Sequence, residues 1–309
     1  AISAILGPIV IPFLKRLKVG QTERKELESH LKKNGTPTMG GLMILASIII
    51  TSLFYVKDYP RIIPILFMTV GFGVIGFLDD YLKVVLRRSD GLLPWQKMIL
   101  QFIVTTVFAV YMVRYSGIEL TMLIPFSGGK YLNIGWLAIP LLYFAVIGSV
   151  NGVNFTDGVD GLVSSVTIMV ATFFSVVAIG TNAGIAPITC AVAGALLGFL
   201  LFNVYPASVF MGDTGSLALG GFVVATAYML QMPLYILIVG LIYLAEVISV
   251  MVQVTYFKYT KKKTGVGKRI FFSQNAEFHC SDEGTEAFTQ GNIEFMLCIL
   301  TEGTVMCLT

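Results

Sequence analysis

Long apolar runs alternate with short polar joints along most of the chain. Runs long enough to suggest membrane crossings fall near 1–14, 39–56, 62–79, 98–113, 132–150, 162–179, 184–202, 215–230 and 233–257. A helix needs roughly 20 apolar residues to cross the hydrocarbon core. The pattern therefore predicts nine spans, the first of them short. That first run contains Pro8 and Pro12 and ends in Lys15-Arg16. A signal-peptide core carries its basic residues before the apolar run rather than after it, so the segment reads as a first span lacking its outer end. A tenth candidate, 293–309, is interrupted by Glu302 and Gly303. The expected fold class is all-α: a polytopic integral membrane protein of about ten transmembrane helices.

Composition agrees with this picture. The 309 residues are 56% hydrophobic and 13% charged, against about 25% charged in soluble domains. The four cysteines, Cys190, Cys280, Cys298 and Cys307, form no Cys-x-x-Cys pair, and only His30 and His279 are histidines. Neither a zinc site nor a disulfide framework is suggested.

Charge sorts the joints into two sets. All 21 basic residues except Lys57, Arg61, Arg114 and Lys130 fall in the joints 15–38, 80–97 and 258–270. The positive-inside rule places that set in the cytoplasm and the N-terminus outside. Lys261-Lys262-Lys263 serves as a topology signal and attracts anionic membrane lipids. By parity the joints 151–161 and 203–214 are cytoplasmic too. Asp79, Asp80, Asp157, Asp160 and Asp213 then share one face of the membrane, at span ends. The outer joints are short and chemically plain by comparison.

Carboxylates at the edge of hydrocarbon are costly without a partner or a task. Asp79 and Asp80 diverge by about 100° on a helix, so one can face a metal or phosphate while the other holds a cation or a structural partner. In the segment 151–162, Asn151, Asn154, Asp157 and Asp160 recur every three residues and share one face if the segment is helical. Such a face suits a base and ribose; the plainer reading is a turn. In Phe210-Met-Gly212-Asp213-Thr-Gly215-Ser216 the glycines allow close backbone approach, and Asp213 offers a hard oxygen ligand. Mg²⁺ takes one or two carboxylates with substrate phosphates and water, which Asp213 with Asp79 or Asp80 would satisfy. Lys33-Asn-Gly-Thr-Pro-Thr38-Met-Gly-Gly41 opens the second span and suits a phosphate near a helix N-terminus. Gly71-Phe-Gly73-Val-Ile-Gly76 lies inside a span with no preceding strand, so it reads as helix packing rather than a dinucleotide fingerprint.

Taken in order, Gly35-Thr-Pro-Thr-Met-Gly-Gly41, Gly76-Phe-Leu-Asp-Asp80, Asn154-Phe-Thr-Asp-Gly-Val-Asp-Gly-Leu162, Phe210-Met-Gly-Asp-Thr-Gly-Ser-Leu217 and Gln253-Val-Thr-Tyr-Phe-Lys258 resemble the bacterial phospho-N-acetylmuramoyl-pentapeptide transferases. These form part of the polyprenyl-phosphate N-acetylhexosamine-1-phosphate transferase superfamily. The resemblance covers roughly residues 1–271, taken as the transmembrane transferase domain. It implies ten spans and a site on the cytoplasmic face of the bacterial inner membrane. It also implies transfer of phospho-MurNAc-pentapeptide from the UDP-linked precursor to undecaprenyl phosphate, with Mg²⁺, giving lipid I and UMP. By the same resemblance Asp213 is the Mg²⁺ ligand, and Asp79 and Asp80 are the paired catalytic aspartates. Lys33, Thr38, Lys83, Asn151, Asn154, Asp157, Asp160, Asn203, Phe210, Gly212, Ser216 and Gln253 bind substrate, with Phe210 placed to stack on uracil. A homodimer is implied, and nucleic acid is not expected as a partner. Beyond Phe271 the family continues with a triple-histidine segment; here Phe272-Ser-Gln-Asn-Ala-Glu-Phe-His279 follows instead. Residues 272–309 are therefore set apart as an atypical segment, a degenerate last span.

Three alternatives stay open on the residues. One is a relative that transfers N-acetylglucosamine phosphate, which the Thr-Pro-Thr-Met-Gly-Gly form disfavours. Another is a cation-coupled transporter, which would place its acids near the midplane. The third is a lipid or nucleotide binder without catalysis.

Overall fold

The computed structural model describes residues 1–16, 36–84 and 91–264. Lys33, most of the first basic joint, the tenth candidate span and the segment 272–309 lie outside the described residues. Ten α-helices follow one another: α1 (Ile2–Arg16), α2 (Gly41–Tyr55), α3 (Ile62–Val84), α4 (Pro94–Arg114), α5 (Ala138–Thr156), α6 (Leu162–Gly180), α7 (Ala186–Asn203), α8 (Gly212–Met229), the single turn α9 (Ile236–Val239) and α10 (Leu241–Thr264). Six of them are long and apolar enough to cross a membrane: α3, α4, α5 with the short turn before it, α6, α7 and α10.

The chain is a helical membrane protein, with two departures from the expected pattern. The run expected at 132–150 begins as a strand. Thr121–Leu123 and Tyr131–Asn133 pair antiparallel, Met122 opposite Leu132, and the helix starts only at Ala138. The joint between α4 and α5 is thus a structured hairpin, not a plain loop. The run at 233–257 also divides: a 3₁₀ turn at Pro233–Tyr235 and α9 are separated from α10 at Gly240. Apolarity alone could not show this, because the residues on both sides of Gly240 are apolar.

Helix α8 forms the centre, with nearly every residue from Gly212 to Met229 buried. Helix α3 runs antiparallel along it, and α5 packs on another side. Van der Waals fit, rather than water exclusion, holds helices together in lipid, so small residues mark the contacts. At Gly76 a side chain would strike the Asp213 carbonyl, and at Gly41 the Gly215 backbone. These two approaches bring the ends of α2 and α3 against the first turn of α8, where the acidic motifs meet. The Gly71–Gly76 stretch therefore serves packing, as its sequence context indicated.

Candidate active site

The C-terminal end of α3, the N-terminal ends of α4 and α8, and the C-terminal end of α5 converge at one end of the bundle. Helix α3 runs on to Val84, so Asp79 and Asp80 lie within it rather than at its tip. Both are nearly inaccessible, at 2% and 4% exposure, and their side chains diverge as adjacent helical positions must.

Asp79 faces the cations. Its Oδ2 lies 2.6 Å from Lys83 Nζ and 3.7 Å from Lys97 Nζ. Its Oδ1 accepts the Leu92 backbone N–H at 2.7 Å. Asp213 shares both lysines: its Oδ2 is 3.1 Å from Lys83 Nζ and 2.9 Å from Lys97 Nζ. Its Oδ1 accepts from Asn154 Nδ2 at 2.8 Å. Two carboxylates and two ammonium groups thus form one closed set, each charge compensated in a site of low dielectric.

Asp80 faces the backbone. Its Oδ1 accepts the Asp213 N–H at 3.2 Å; its Oδ2 accepts the Thr214 N–H at 2.9 Å and the Thr214 hydroxyl at 2.6 Å. It satisfies donors that a helix leaves open at its N-terminus, and it sits at the positive end of the helix dipole. Asp79 is therefore the group with cationic partners, and Asp80 anchors α8.

The Asn-Asp segment is helical only in part. Helix α5 ends at Thr156, so Asn151 and Asn154 lie on the helix, Asp157 caps its C-terminus, and Asp160 lies in the following turn. Asn151 Nδ2 donates back to the Ile147 carbonyl at 2.8 Å. Asn154 reaches the centre, donating to Asp213 and, at 2.8 Å, to Ser216 Oγ. Asp157 is held well above the ordinary carboxylate range, first by burial and then by the negative charges of Asp213 and Asp80; the Gly212 N–H that it accepts works against this.

The segment 37–41 runs beside 210–211. Phe210 N–H donates to the Pro37 carbonyl at 2.8 Å, and Gly40 and Gly41 N–H donate to the Phe210 and Met211 carbonyls at 2.9 and 2.8 Å. Gly212 has φ 75°, where a side chain would be strained and would meet Asp80 Oδ2 and Thr38 Oγ1. Asp160 Oδ2 accepts the Ala207 N–H at 3.1 Å. Asn203, at 2% exposure, is bonded to Ser164 and to the Val209 carbonyl. Gln253 is buried on α10, and Lys83 remains partly exposed.

Three site groups were not picked out from sequence. Lys97 reads there as one more cytoplasmic base; only the folding of α4 against α3 turns it onto Asp213. Thr214 lies in the glycine-rich stretch that opens α8, with nothing in its spacing to set it apart. The Leu92 N–H is a backbone donor and leaves no sequence signal.

Among the described residues no group of three or more His, Cys, Asp and Glu side chains closes on a metal. Mg²⁺ needs less, since it keeps waters and takes phosphate oxygens. Asp213 and Asp79 converge on the same two ammonium groups, and the buried Thr38 Oγ1 has no hydrogen-bond partner among the described residues. These residues fit a Mg²⁺ that is completed by phosphate oxygens.

The fold is that of a polytopic helical membrane protein with a buried cluster of carboxylates and lysines at one end of the bundle. A family model described as Glycosyl transferase family 4 matches residues 62–231, and one described as Phospho-N-acetylmuramoyl-pentapeptide-transferase signature 1 matches residues 33–45. Proteins named phospho-N-acetylmuramoyl-pentapeptide-transferase are similar along most of the chain. That of Acetivibrio thermocellus is 46% identical over 308 residues, covering 97% of this chain and 91% of the relative. That of Clostridium botulinum (strain Alaska E43) is 48% identical over 274 residues, covering 88% and 82%. That of Clostridioides difficile is 48% identical over 262 residues, covering 84% and 81%. The chain belongs to the phospho-N-acetylmuramoyl-pentapeptide-transferase family.

Proposed function

We propose that the chain transfers phospho-MurNAc-pentapeptide from UDP-MurNAc-pentapeptide to undecaprenyl phosphate, releasing UMP and forming lipid I. The observation that carries this reading is the closed Asp79–Lys83–Lys97–Asp213 set at the membrane end of a chain of this family. The basic joints support a cytoplasmic site in the bacterial inner membrane, an outer N-terminus and about ten spans.

An anionic lipid phosphate must approach an anionic pyrophosphate, so charge compensation comes before chemistry. Lys83 and Lys97 are the cations at hand. In the free protein they neutralise Asp79 and Asp213; with substrate they can turn to phosphate oxygens without leaving the site. Asp213 would hold a Mg²⁺, which would supply further positive charge for the pyrophosphate and the departing UMP. Asp79 orients the incoming lipid phosphate and accepts its proton. Asp80 keeps the first turn of α8, and so Asp213, in register. Phe210 offers its ring to the uracil, and Asp157 and Asp160 line the nucleoside side. We assign a single direct displacement. Recovery of a phosphorylated Asp79 from quenched turnover would establish the covalent alternative instead.

The reading is tested by UMP release from UDP-MurNAc-pentapeptide with undecaprenyl phosphate and Mg²⁺. Asp213→Ala is expected to lower turnover by on the order of 10³, as loss of a central charge-stabilising group does. Nucleotide binding without UMP release in the unaltered protein would mark it as a binder only.

A further inference from the structure

Asp160 and Asn203, expected as substrate contacts, both hold the chain itself through the first turn of α6. Asp160 precedes that helix, Gly161 turns the chain at φ 78°, and Ser164 lies on the first turn. Among the described residues, helical hydroxyls mostly bond back to the carbonyl four residues earlier, as those of Ser47, Thr69, Thr105 and Ser175 do. A bond of that kind is local and joins no second helix. Ser164 departs from the habit. Fully buried, its Oγ donates to Asn203 Oδ1 at 2.9 Å, across to the last residue of α7. Asn203 Nδ2 in turn donates to the Val209 carbonyl at 3.1 Å. A flipped amide would set its oxygen against the Val209 carbonyl, so this orientation is fixed. With the Asp160–Ala207 bond, the first turn of α6 grips the segment 204–211 at two points. On its other edge the same segment is held by Pro37 and Gly40. Phe210 is presented between the two clamps.

We propose that Ser164 is a positioning residue for nucleotide binding: acting through Asn203, it fixes the loop that presents Phe210. The inference rests on the reading of Phe210 as the uracil platform. Without the hydroxyl, Asn203 Oδ1 is buried without this donor, the amide loses one of its two ties, and Val209 loosens next to Phe210. The loss falls on nucleotide binding and leaves the Asp79–Asp213 cluster intact.

The test uses the full chain in detergent, with UMP titration by calorimetry and steady-state turnover of both substrates. Ser164→Ala is expected to raise the UMP Kd and the KM for UDP-MurNAc-pentapeptide by about 5- to 20-fold, the scale of one buried hydrogen bond. The kcat and the KM for undecaprenyl phosphate should change by less than about twofold. Ser164→Thr, which keeps the hydroxyl, should restore nucleotide affinity. Ser164→Ala combined with Asn203→Ala should be no worse than Asn203→Ala alone, because the serine acts only through that amide. Ser175→Ala, on the same helix, should leave both KM values unchanged. If Ser164→Ala does not accumulate, Ser164→Cys with its weaker donor should give a smaller rise of the same kind. An unchanged nucleotide KM, or a fall in kcat in step with thermal stability, overturns the inference while UMP release in the unaltered protein upholds the functional reading. Failure of the unaltered protein to bind UMP overturns both.

Discussion

The two ends of the bundle hold buried polar groups in opposite ways. Near the first turn of α8 the carboxylates are tied across helices: Asp79 to Lys97 as well as to Lys83 on its own helix, Asp213 to both lysines, and Asp80 to the backbone of α8. At the other end a cavity of about 480 Å³ is lined by groups that include Ser3, Ser47, Thr51, Tyr55 and Cys190. There Ser47 and Thr51 bond to carbonyls of their own helix, while Ser3 Oγ and nearby Ser52 Oγ have no partner among the described residues. The contrast follows from what desolvation costs. A neutral hydroxyl can be buried with a local bond or none, whereas a buried charge requires a partner from another element. Charge therefore dictates how the helix ends meet at the first site, whereas Ser47 and Thr51 at the second bond as neutral groups within their own helix.

That contrast can be broken most sharply at Lys97. Removing it leaves Asp213 with one fewer ammonium group, and truncating one partner of a buried pair costs roughly 3–5 kcal/mol. Lys97→Ala should lower UMP release by on the order of 10² or more, with Lys97→Arg retaining part of it. A turnover loss below threefold would show that Lys83 suffices alone. Packing comes next. Gly76→Val forces a side chain onto the Asp213 carbonyl, and overpacking of this kind costs about 1–3 kcal/mol. Thermal unfolding in detergent should drop accordingly, and activity with it; an unchanged midpoint would mean that α3 can shift along α8.

The opposite end should respond the other way. Ser52→Ala removes a buried hydroxyl that has no partner among the described residues, so stability should hold or rise by up to about 1 kcal/mol. UMP release should not change, and a clear loss of activity would show that the two ends are coupled. The smallest effect concerns Asp157. Its carboxyl binds a proton more tightly folded than unfolded, so its contribution to stability falls as pH rises from the ordinary value of 3.8 through the raised folded value. Asp157→Asn should therefore raise the unfolding midpoint by roughly 2 °C at pH 8 and by less at pH 5. An equal gain at both values would point to packing instead of charge.

Much of this site is legible from the chain alone, and the reason is chemical. Asp79, Asp80, Asp157, Asp160 and Asp213 stand out because charge is rare in so apolar a sequence, and parity along the spans puts them at one end. The division between Asp79 and Asp80 follows from helical geometry. Lys97 was not separable from other bases, since its role depends on how α4 lies against α3. Ser164 looks like any helix serine until α7 ends beside it. The repeating Asn-Asp face was only half right, because α5 stops at Thr156 and sends Asp157 and Asp160 into a turn. The hairpin between α4 and α5 and the division at Gly240 escaped for a related reason: strands, turns and helix ends can be as apolar as a span.

By itself the sequence determined that this is a helical membrane protein and which end of its helices carries the chemistry, because apolar length and the scarcity of charge are local properties of the chain. Only the tertiary structure decided which lysines face which aspartates, which asparagine reaches Asp213, and what holds Phe210. Those choices depend on glycine contacts between α2, α3 and α8 and on the exact ends of α5 and α7. A shift of one turn in any helix would exchange the partners without altering the hydrophobic pattern.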